Sequence, residues 1–288
     1  MIIDIHTHTF PDAIAAAAVD KLQAASHTKP FSDGTVSGLR ASMATAGIDA
    51  SVVLPVATSP KQVPHINDNV IRVNALSNET GVYSLGGMHP DFPDWEREME
   101  RLRAAGVRGV KMHPPYQGVD FDDTRFVRIL KKASELGMLV ATHAGLDVGL
   151  PAAEQSTPEK LLRAWEKAPD ATLILAHMGG WRCWREAREL LPDTGVSIDT
   201  SFSLGPMTPN GDGYYRTPEE LALMDGAEFL STVRAFGADR VLFGTDCPWG
   251  AQKDALARFL ALPLSPPERE AILHGNAERL IFGKKASV

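Results

Sequence analysis

Short apolar runs alternate with longer amphipathic stretches along the chain. Between the runs, stretches such as residues 95–103 and 126–133 repeat their apolar positions at helical spacing, which predicts helices with one buried face. Apolar runs that each lead into a helix are typical of parallel strands whose sheet is covered by helices. The eight runs lie near residues 2–6, 51–56, 82–88, 107–112, 138–143, 172–177, 195–200 and 240–246. Eight such units predict an α/β fold of the (β/α)8 type, the TIM barrel.

The length of the chain and its glycines favour one domain. With 288 residues, of which 44% are hydrophobic, the chain can bury a large core. Gly106, Gly137 and Gly237 each stand just before an apolar run, where a helix is expected to end and turn into a strand. No linker rich in glycine, serine or proline divides the sequence, so we expect a single domain over residues 1–288.

Polar side chains stand at the ends of several apolar runs. His6 and His8 are two residues apart, so both imidazoles of a strand would point to the same face, which suits a divalent metal. His143, His177 and Asp246 end three later runs in the same way. The carboxyl ends of barrel strands surround one axis and carry the catalytic groups, so we expect these side chains to converge.

An open, doubly wound sheet is the alternative architecture for the same alternation. It would place the first and last strands far apart, and His6 and Asp246 would not meet. The glycine-rich turn Gly-x-Gly-x-x-Gly of a dinucleotide site is also absent after the first run. The sequence therefore favours the barrel.

Composition excludes several classes of partner. The net charge of -7 and the lack of a lysine or arginine run argue against nucleic acid. No run of 18 apolar residues and no signal-peptide pattern occur, which predicts a cytoplasmic protein without a membrane partner. Two cysteines are too few for a disulfide framework. The expected partner is a small-molecule substrate. The apolar pair Ile281-Phe282 belongs either to a subunit contact or to the barrel floor, which leaves a homo-oligomer open.

Four motifs and the tail carry a resemblance to a known family. The motifs are His6-Thr7-His8, Thr142-His143-Ala144, Ala176-His177-Met178-Gly179-Gly180 and Gly244-Thr245-Asp246-Cys247-Pro248, and the tail is residues 275–283. In this order they resemble the amidohydrolase superfamily. Within it, they are similar to amidohydrolase family 2, the branch of small metal-dependent barrels related to aminocarboxymuconate semialdehyde decarboxylase. The resemblance spans the chain and implies the barrel fold.

The resemblance also implies a metal and the roles of its neighbours. The expected ligands of one divalent ion are His6, His8, His143 and Asp246. These ligand types suit zinc, while manganese, iron or cobalt fit the same set. His177 resembles the histidine that orients or deprotonates the metal-bound water, and Asp246 is expected to carry a proton as well as bind the metal. His177 and Asp246 are therefore the expected catalytic residues.

The fourth run ends in Val110-Lys111-Met112-His113, which allows two interpretations. Lys111 falls where binuclear members of the wider superfamily carry a carboxylated lysine that bridges two metals. The closer branch is mononuclear, and there Lys111 would instead bind a carboxylate or carbonyl of the substrate. His113 shares its strand face and either contacts the substrate or caps the strand.

Aromatic and cationic residues just beyond the strand ends are candidates for the rim of the site. Tyr116, Arg182 and Trp249 are expected to contact the substrate, although Arg182 also fits an exposed helix start. The longest segment without a helical or strand pattern, residues 201–218, is expected to form a lid.

Two enzymatic functions follow from these residues. The first is metal-dependent hydrolysis of a small amide, ester or lactone through a metal-activated water, with His177 and Asp246 moving the protons. The alternative is metal-dependent non-oxidative decarboxylation of a small unsaturated or aromatic carboxylate. A barrel that binds a ligand without catalysis is a third hypothesis from another class.

Overall fold

The computed structural model describes residues 1–283, and its strands form one closed parallel barrel. In chain order the strands are β1 (Ile3–Thr7), β2 (Ala50–Val53), β3 (Val82–Ser84), β4 (Gly86–Gly87), β5 (Gly109–Met112), β6 (Leu139–Thr142), β7 (Thr172–Leu175), β8 (Ser197–Asp199) and β9 (Val241–Leu242). Only Leu85 separates β3 from β4, so these two are one barrel strand in two pieces. All eight predicted strands are confirmed.

Helices connect the strands. In chain order they are α1 (Asp12–Ser26), α2 (Val36–Ala46), α3 (Val63–Ala75), α4 (Ser77–Thr80), α5 (Trp95–Ala104), α6 (Pro114–Gln117), α7 (Thr124–Glu135), α8 (Pro158–Lys167), α9 (Trp184–Leu190), α10 (Pro218–Leu221), α11 (Gly226–Phe236), α12 (Gln252–Leu260), α13 (Pro266–Glu270) and α14 (Asn276–Leu280). Short 3₁₀ turns at Pro60–Gln62, His177–Gly179 and Ala238–Arg240 and a π turn at Ala271–Gly275 complete the set.

The strand pairing closes the barrel between its first and last strands. One sheet has the order β1-β2-β3 and the other the order β4-β5-β6-β7-β8-β9, and every pair is parallel. Across the closure, Ile5 N donates to Phe243 O over 2.9 Å and Asp246 N donates to His6 O over 2.8 Å. The first and last strands are therefore neighbours, which confirms the TIM barrel and rules out the open sheet.

Side chains that alternate along each strand form two cores. One face of each strand points to the barrel axis, where the interior is filled by Ile3, Ile5, Val52, Leu54, Leu85, Leu139, Ala141, Ile174 and Leu242. The opposite face packs against the helices, as Phe126, Ile129 and Leu130 of α7 do with no exposed surface. Burying such a side chain stabilises the fold by about 1.5–3 kcal/mol.

The pair Ile281-Phe282 belongs to the barrel floor. Ile281 is buried in the interior cluster, and the ring of Phe282 packs edge-on against Tyr83 with 4.8 Å between the centroids. The structure thus places this pair against its own barrel, and a homo-oligomer stays a prediction. Within residues 1–283, no helix combines the length and the apolar character needed to cross a bilayer.

Candidate metal centre

Three of the predicted ligands meet at the carboxyl ends of β1 and β9. His8 Nε2 lies 3.0 Å and His6 Nε2 3.4 Å from the same carboxylate oxygen, Asp246 Oδ1. Asp246 follows β9 in a left-handed conformation with φ 66°, which is uncommon outside glycine and found most often at functional sites. The closure of the barrel thus brings together side chains that are 238 residues apart in sequence.

In His6 and His8, the ring nitrogen on the far side from Asp246, Nδ1, donates a hydrogen bond. His8 Nδ1 donates to Leu54 O over 2.8 Å, because a carbonyl oxygen can only accept. His6 Nδ1 donates to the carboxylate of Asp199 over 2.8 Å. These bonds fix the tautomers, so the inner Nε2 atoms carry lone pairs. In neutral rings, the form that binds a metal, two lone pairs and a carboxylate oxygen face one another.

His143 and His177 extend this arrangement from β6 and β7. His177 Nδ1 donates to Ser201 O over 3.1 Å, and His143 Nε2 donates to Leu146 O over 2.8 Å. The remaining nitrogens, His177 Nε2 and His143 Nδ1, face each other at 3.2 Å. Burial lowers the pKa of both imidazoles to about 4, so both are neutral at pH 7. Here too, two lone pairs meet without a proton.

A divalent cation would remove the repulsion between facing lone pairs in both places. Ligand atoms about 2.0–2.2 Å from one ion lie roughly 3.0–3.5 Å from each other, which is the spacing of these inner atoms. Neutral imidazole is the form that binds metals, and a hydrogen bond on the outer nitrogen is its usual support. The expected donor set, the imidazoles of His6, His8 and His143 with the carboxylate of Asp246, therefore fits a metal ion. The candidate ligand atoms of His6, His8 and Asp246 all lie within 4.8 Å of one another, and His143 adjoins this group through His177.

The sequence interpretation missed Asp199, the residue that supports His6. Asp199 ends β8 and is buried, and its Oδ1 accepts hydrogen bonds from His177 N at 3.0 Å and from the backbone and hydroxyl of Ser201. Its Oδ2 is thereby left for His6. Its position at the end of the seventh apolar run, residues 195–200, was the available signal. Asp4 shares the strand face of His6 and accepts from the His6 backbone N–H over 3.2 Å, while its other bonds go to Thr245 and Gln252 rather than to the His6 ring.

Lys111, His113 and Tyr116 line the neighbouring side of the centre. Lys111 is 1% exposed, and burial lowers its pKa to about 8 while the charges of Asp199, Asp246 and Asp147 oppose the shift. The ring of His113 stacks on His143 with 4.4 Å between centroids, and Tyr116 packs edge-on against His113 at 4.7 Å.

Asp147 is a second acid that the sequence interpretation missed. It follows β6, is buried, and places its Oδ2 3.5 Å from His113 Nε2 and 3.9 Å from His143 Nε2. Burial raises the pKa of its carboxyl group. Nothing in the sequence pattern marked it, because it stands inside a loop rather than at a strand end.

Arg182 and Trp249 lie beside the centre rather than among its donors. Arg182 is exposed, donates to Glu220 O over 3.0 Å and lies over the ring of Trp181. Trp249 donates its backbone N–H to Asp246 O over 2.8 Å, and its side chain lines a cavity together with Phe202 and Phe31. Their contact with a substrate stays a prediction.

A family comparison agrees with this architecture. The profile described as Amidohydrolase matches residues 3–282, nearly the whole described chain. The chain belongs to the amidohydrolase family. The resemblance drawn from the motifs is thereby confirmed. No curated protein sequence matches this amidohydrolase.

Solved structures with the same fold cover almost the whole chain. An uncharacterised TIM-barrel protein from Bordetella bronchiseptica has a TM-score of 0.74 at 21% identity, with 98% of this chain and 99% of that chain covered. The 5-carboxyvanillate decarboxylase of Sphingomonas paucimobilis has a TM-score of 0.69 at 18% identity, with 98% of each chain covered. A dihydroxybenzoic acid decarboxylase of a Polaromonas species, solved with manganese and 2-nitroresorcinol, has a TM-score of 0.69 at 17% identity, with 99% and 98% covered.

Proposed function

We propose that this amidohydrolase is a metal-dependent, non-oxidative decarboxylase of a small unsaturated or aromatic carboxylate. The observation that carries the proposal is the convergence of imidazole nitrogens on the carboxylate of Asp246, in a site that is itself buried. Two of the structurally similar proteins are decarboxylases of aromatic acids, and one of them holds manganese. This support favours decarboxylation over hydrolysis, the function that the motifs suggested first.

The metal centre would supply the electrophile. A divalent ion bound by His6, His8, His143 and Asp246 acts as a Lewis acid toward oxygen atoms of the substrate. The donor types admit zinc or manganese, and we take manganese as the first ion to test because a structurally similar decarboxylase binds it.

The residues around the metal centre prepare the carboxylate for loss. Because His6, His143 and His177 are each at least nine-tenths buried, a bound carboxylate gives up most of its water here. The carbon–carbon bond then breaks, carbon dioxide leaves, and the electron pair of that bond remains on the substrate carbon, where a proton neutralises it.

His177 and Asp246 are positioned to return a proton to that carbon. His177 is neutral at pH 7 and its Nδ1–H stays on Ser201, so Nε2 is free to take a proton from water and pass it to the carbon. The net change is a carbon–carboxylate bond replaced by a carbon–hydrogen bond, with one water-derived proton consumed.

Hydrolysis of a small amide, ester or lactone is the second candidate. The observation in its favour is the same neutral Nε2 of His177, which would serve as the base that deprotonates an attacking water molecule. Both reactions use the same residues, so the product decides between them.

The test is a panel of aromatic and unsaturated carboxylates, with their amides, esters and lactones, incubated with manganese-loaded or zinc-loaded protein. Decarboxylation predicts carbon dioxide release and, in heavy water, one deuterium on the product carbon. Hydrolysis predicts oxygen from ¹⁸O-water in the product and no carbon dioxide.

The Asp246→Asn variant should abolish either activity, while His65→Ala, which changes an exposed histidine on α3, should retain it. Hydrolytic turnover without carbon dioxide would replace the proposal with the second candidate.

A further inference from the structure

Three polar groups beside the metal centre lack a hydrogen-bond partner among residues 1–283. They are Nδ1 of His113, which is fully buried, the ammonium of Lys111, whose side chain is 1% exposed, and the phenol of the half-buried Tyr116, on the end of β5 and the turn that follows it. A buried polar group without a partner costs about 1–3 kcal/mol, and more when it is charged. His113 Nδ1 carries this cost, and together with the two neighbouring donors it indicates groups that await a ligand.

Lys111 is the most unusual of the three. Its side chain lies inside the barrel mouth, yet no carboxylate of the described residues comes within 4.0 Å of its nitrogen. The negative charges of Asp199, Asp246 and Asp147 act on it only from a greater distance. A buried cation without an ion pair is strongly unfavourable unless an anion joins it.

His113 complements this cation with an acceptor. The carboxylate of Asp147 faces His113 Nε2 at 3.5 Å, so the ring proton belongs on Nε2. Nδ1 is then a buried lone pair with no donor near it. A carboxylate cannot bond to this atom, whereas a hydroxyl or amino group can.

We propose that Lys111, His113 and Tyr116 form a recognition subsite for a second carboxylate of the substrate, with a hydroxyl or amino group beside it. Lys111 and Tyr116 donate to the carboxylate, and His113 Nδ1 accepts from the hydroxyl or amino group. The substrate is accordingly a small unsaturated or aromatic dicarboxylate.

The assignment to a second carboxylate rests on the proposed decarboxylation. A carboxylate that leaves as carbon dioxide loses its charge in the transition state, so an ammonium paired with it would stabilise the bound substrate and slow the reaction. An ammonium paired with a carboxylate that stays bound only fixes the orientation of the substrate. Lys111 therefore pairs with the carboxylate that remains on the product.

The test compares two probes of the same shape, isophthalate and its monoamide 3-carbamoylbenzoate, by calorimetric titration of the manganese-loaded protein. The wild type should bind isophthalate at least about tenfold more tightly. Lys111→Met should remove this preference and Lys111→Arg should keep part of it. Lys131→Met, a change on the exposed face of α7, should leave it unchanged.

The contribution of His113 is measured with 4-hydroxyisophthalate. The wild type should bind this probe more tightly than isophthalate, and His113→Phe should remove the difference while leaving the preference for isophthalate over its monoamide. Metal content is measured for every variant, so that loss of the ion is distinguished from loss of the subsite.

Three outcomes would overturn the subsite. The first is wild-type protein that does not distinguish isophthalate from its monoamide, and the second is a Lys111→Met variant that keeps the full preference. The third is a wild type with two metal ions and a Lys111→Met variant with one, since a carboxylated Lys111 would then be a metal bridge. A preference without carbon dioxide release from any acid would support the subsite and contradict the decarboxylase. Carbon dioxide release without the preference would support the decarboxylase and contradict the subsite.

Discussion

Asp199 shows how much the metal centre depends on a residue that binds no metal. It fixes His6 through Nδ1 and holds the backbone of His177, so it aligns two of the imidazoles at once. Supporting groups of this kind typically change metal affinity by about 10–100-fold.

We expect Asp199→Asn to weaken manganese binding by about 10–100-fold, because the amide offers only one acceptor oxygen and aims a donor at Ser201 or His6. The measurement is competition against a chromogenic chelator. Asp193→Asn, an exposed change in the turn before β8, is the matched control and should bind as the wild type does. Equal affinities of all three proteins would contradict the role of Asp199.

Sequence patterns revealed the residues at strand ends and missed those that depend on tertiary geometry. His6, His8, His177 and Asp246 follow apolar runs, so the barrel topology alone places them at one rim. The tautomers, by contrast, follow from carbonyl groups such as Leu54 O, which no side-chain pattern records. Asp147 was missed for the same reason, since its neighbours are set by a loop.

At the scale of elements, close strand packing depends on glycine at β5. A methyl group on Gly109 would lie 2.3 Å from Leu139 O, a backbone atom of the neighbouring strand that cannot move away. Gly109→Ala should therefore lower the stability by about 1–3 kcal/mol, as overpacking does in other cores.

Thermal unfolding checks this prediction. Each kcal/mol corresponds to roughly 2–4 °C in Tm for a domain of 150–250 residues, and somewhat less for a longer chain. Gly195→Ala is the control, because its added methyl group meets nothing within 4 Å, and we expect a change within about 0.5 kcal/mol. A Gly109→Ala protein as stable as the control would refute the packing argument.

The segment predicted as a lid is fastened to the end of α1. Tyr215 Oη donates to Ser26 O over 2.9 Å, Asn210 N donates to His27 O over 3.0 Å, and the ring of His27 donates to Asp212 over 2.7 Å. The ring of Tyr214 stacks on His27 with 3.7 Å between centroids. Residues 210–215 are therefore held on the barrel by contacts that are exposed or only partly buried, which are the kind that open locally.

We expect Asp212→Asn together with Tyr215→Phe to speed amide hydrogen exchange in residues 206–216 several-fold, with no change in the exchange of β6 or β7. Tyr215→Phe then removes one of these side-chain bonds and Asp212→Asn weakens another by removing the charge of its acceptor, while the backbone bonds remain. Asp20→Asn on the exposed face of α1 is the control. Unchanged exchange in the double variant would show that the segment is held by other contacts.

For the whole molecule, the buried imidazoles make stability depend on pH. His143 and His177 have a pKa of about 4 in the folded protein against about 6.5 when unfolded, because burial disfavours the charged ring. Between these values the unfolded chain binds more protons, so stability rises with pH and is lost on acidification. Asp4 and Asp147 act in the opposite direction, since burial raises the pKa of both carboxyl groups, that of Asp4 to about 6.

The metal-free protein should therefore show a falling Tm as the pH is lowered from 7 to 4.5, since four buried histidines with a lowered pKa, His6, His113, His143 and His177, outnumber the two carboxyl groups. His177→Gln should reduce the slope, because one titrating group is removed. A Tm that rises over this interval would mean that the carboxyl groups dominate and that the imidazoles are not buried as neutral rings.

The barrel itself was predictable from the sequence to a greater extent than its chemistry. Eight apolar runs with helices between them leave few topologies, and the closure through Ile5 and Phe243 follows from the strand count. The choice between hydrolysis and decarboxylation was not predictable, because His177 and Asp246 serve both reactions. The unpartnered Lys111 became informative only when its surroundings were known.

Metal content per chain tests the central claim most directly. After expression with manganese or zinc and gentle purification, elemental analysis should find about one divalent ion per chain in the wild type and in the His65→Ala control. His8→Ala and Asp246→Ala should each retain less than about a tenth of it, because each removes a ligand that faces the shared centre. A wild type that binds no ion even after supplementation, or variants that keep it, would contradict the metal centre and the decarboxylase built on it.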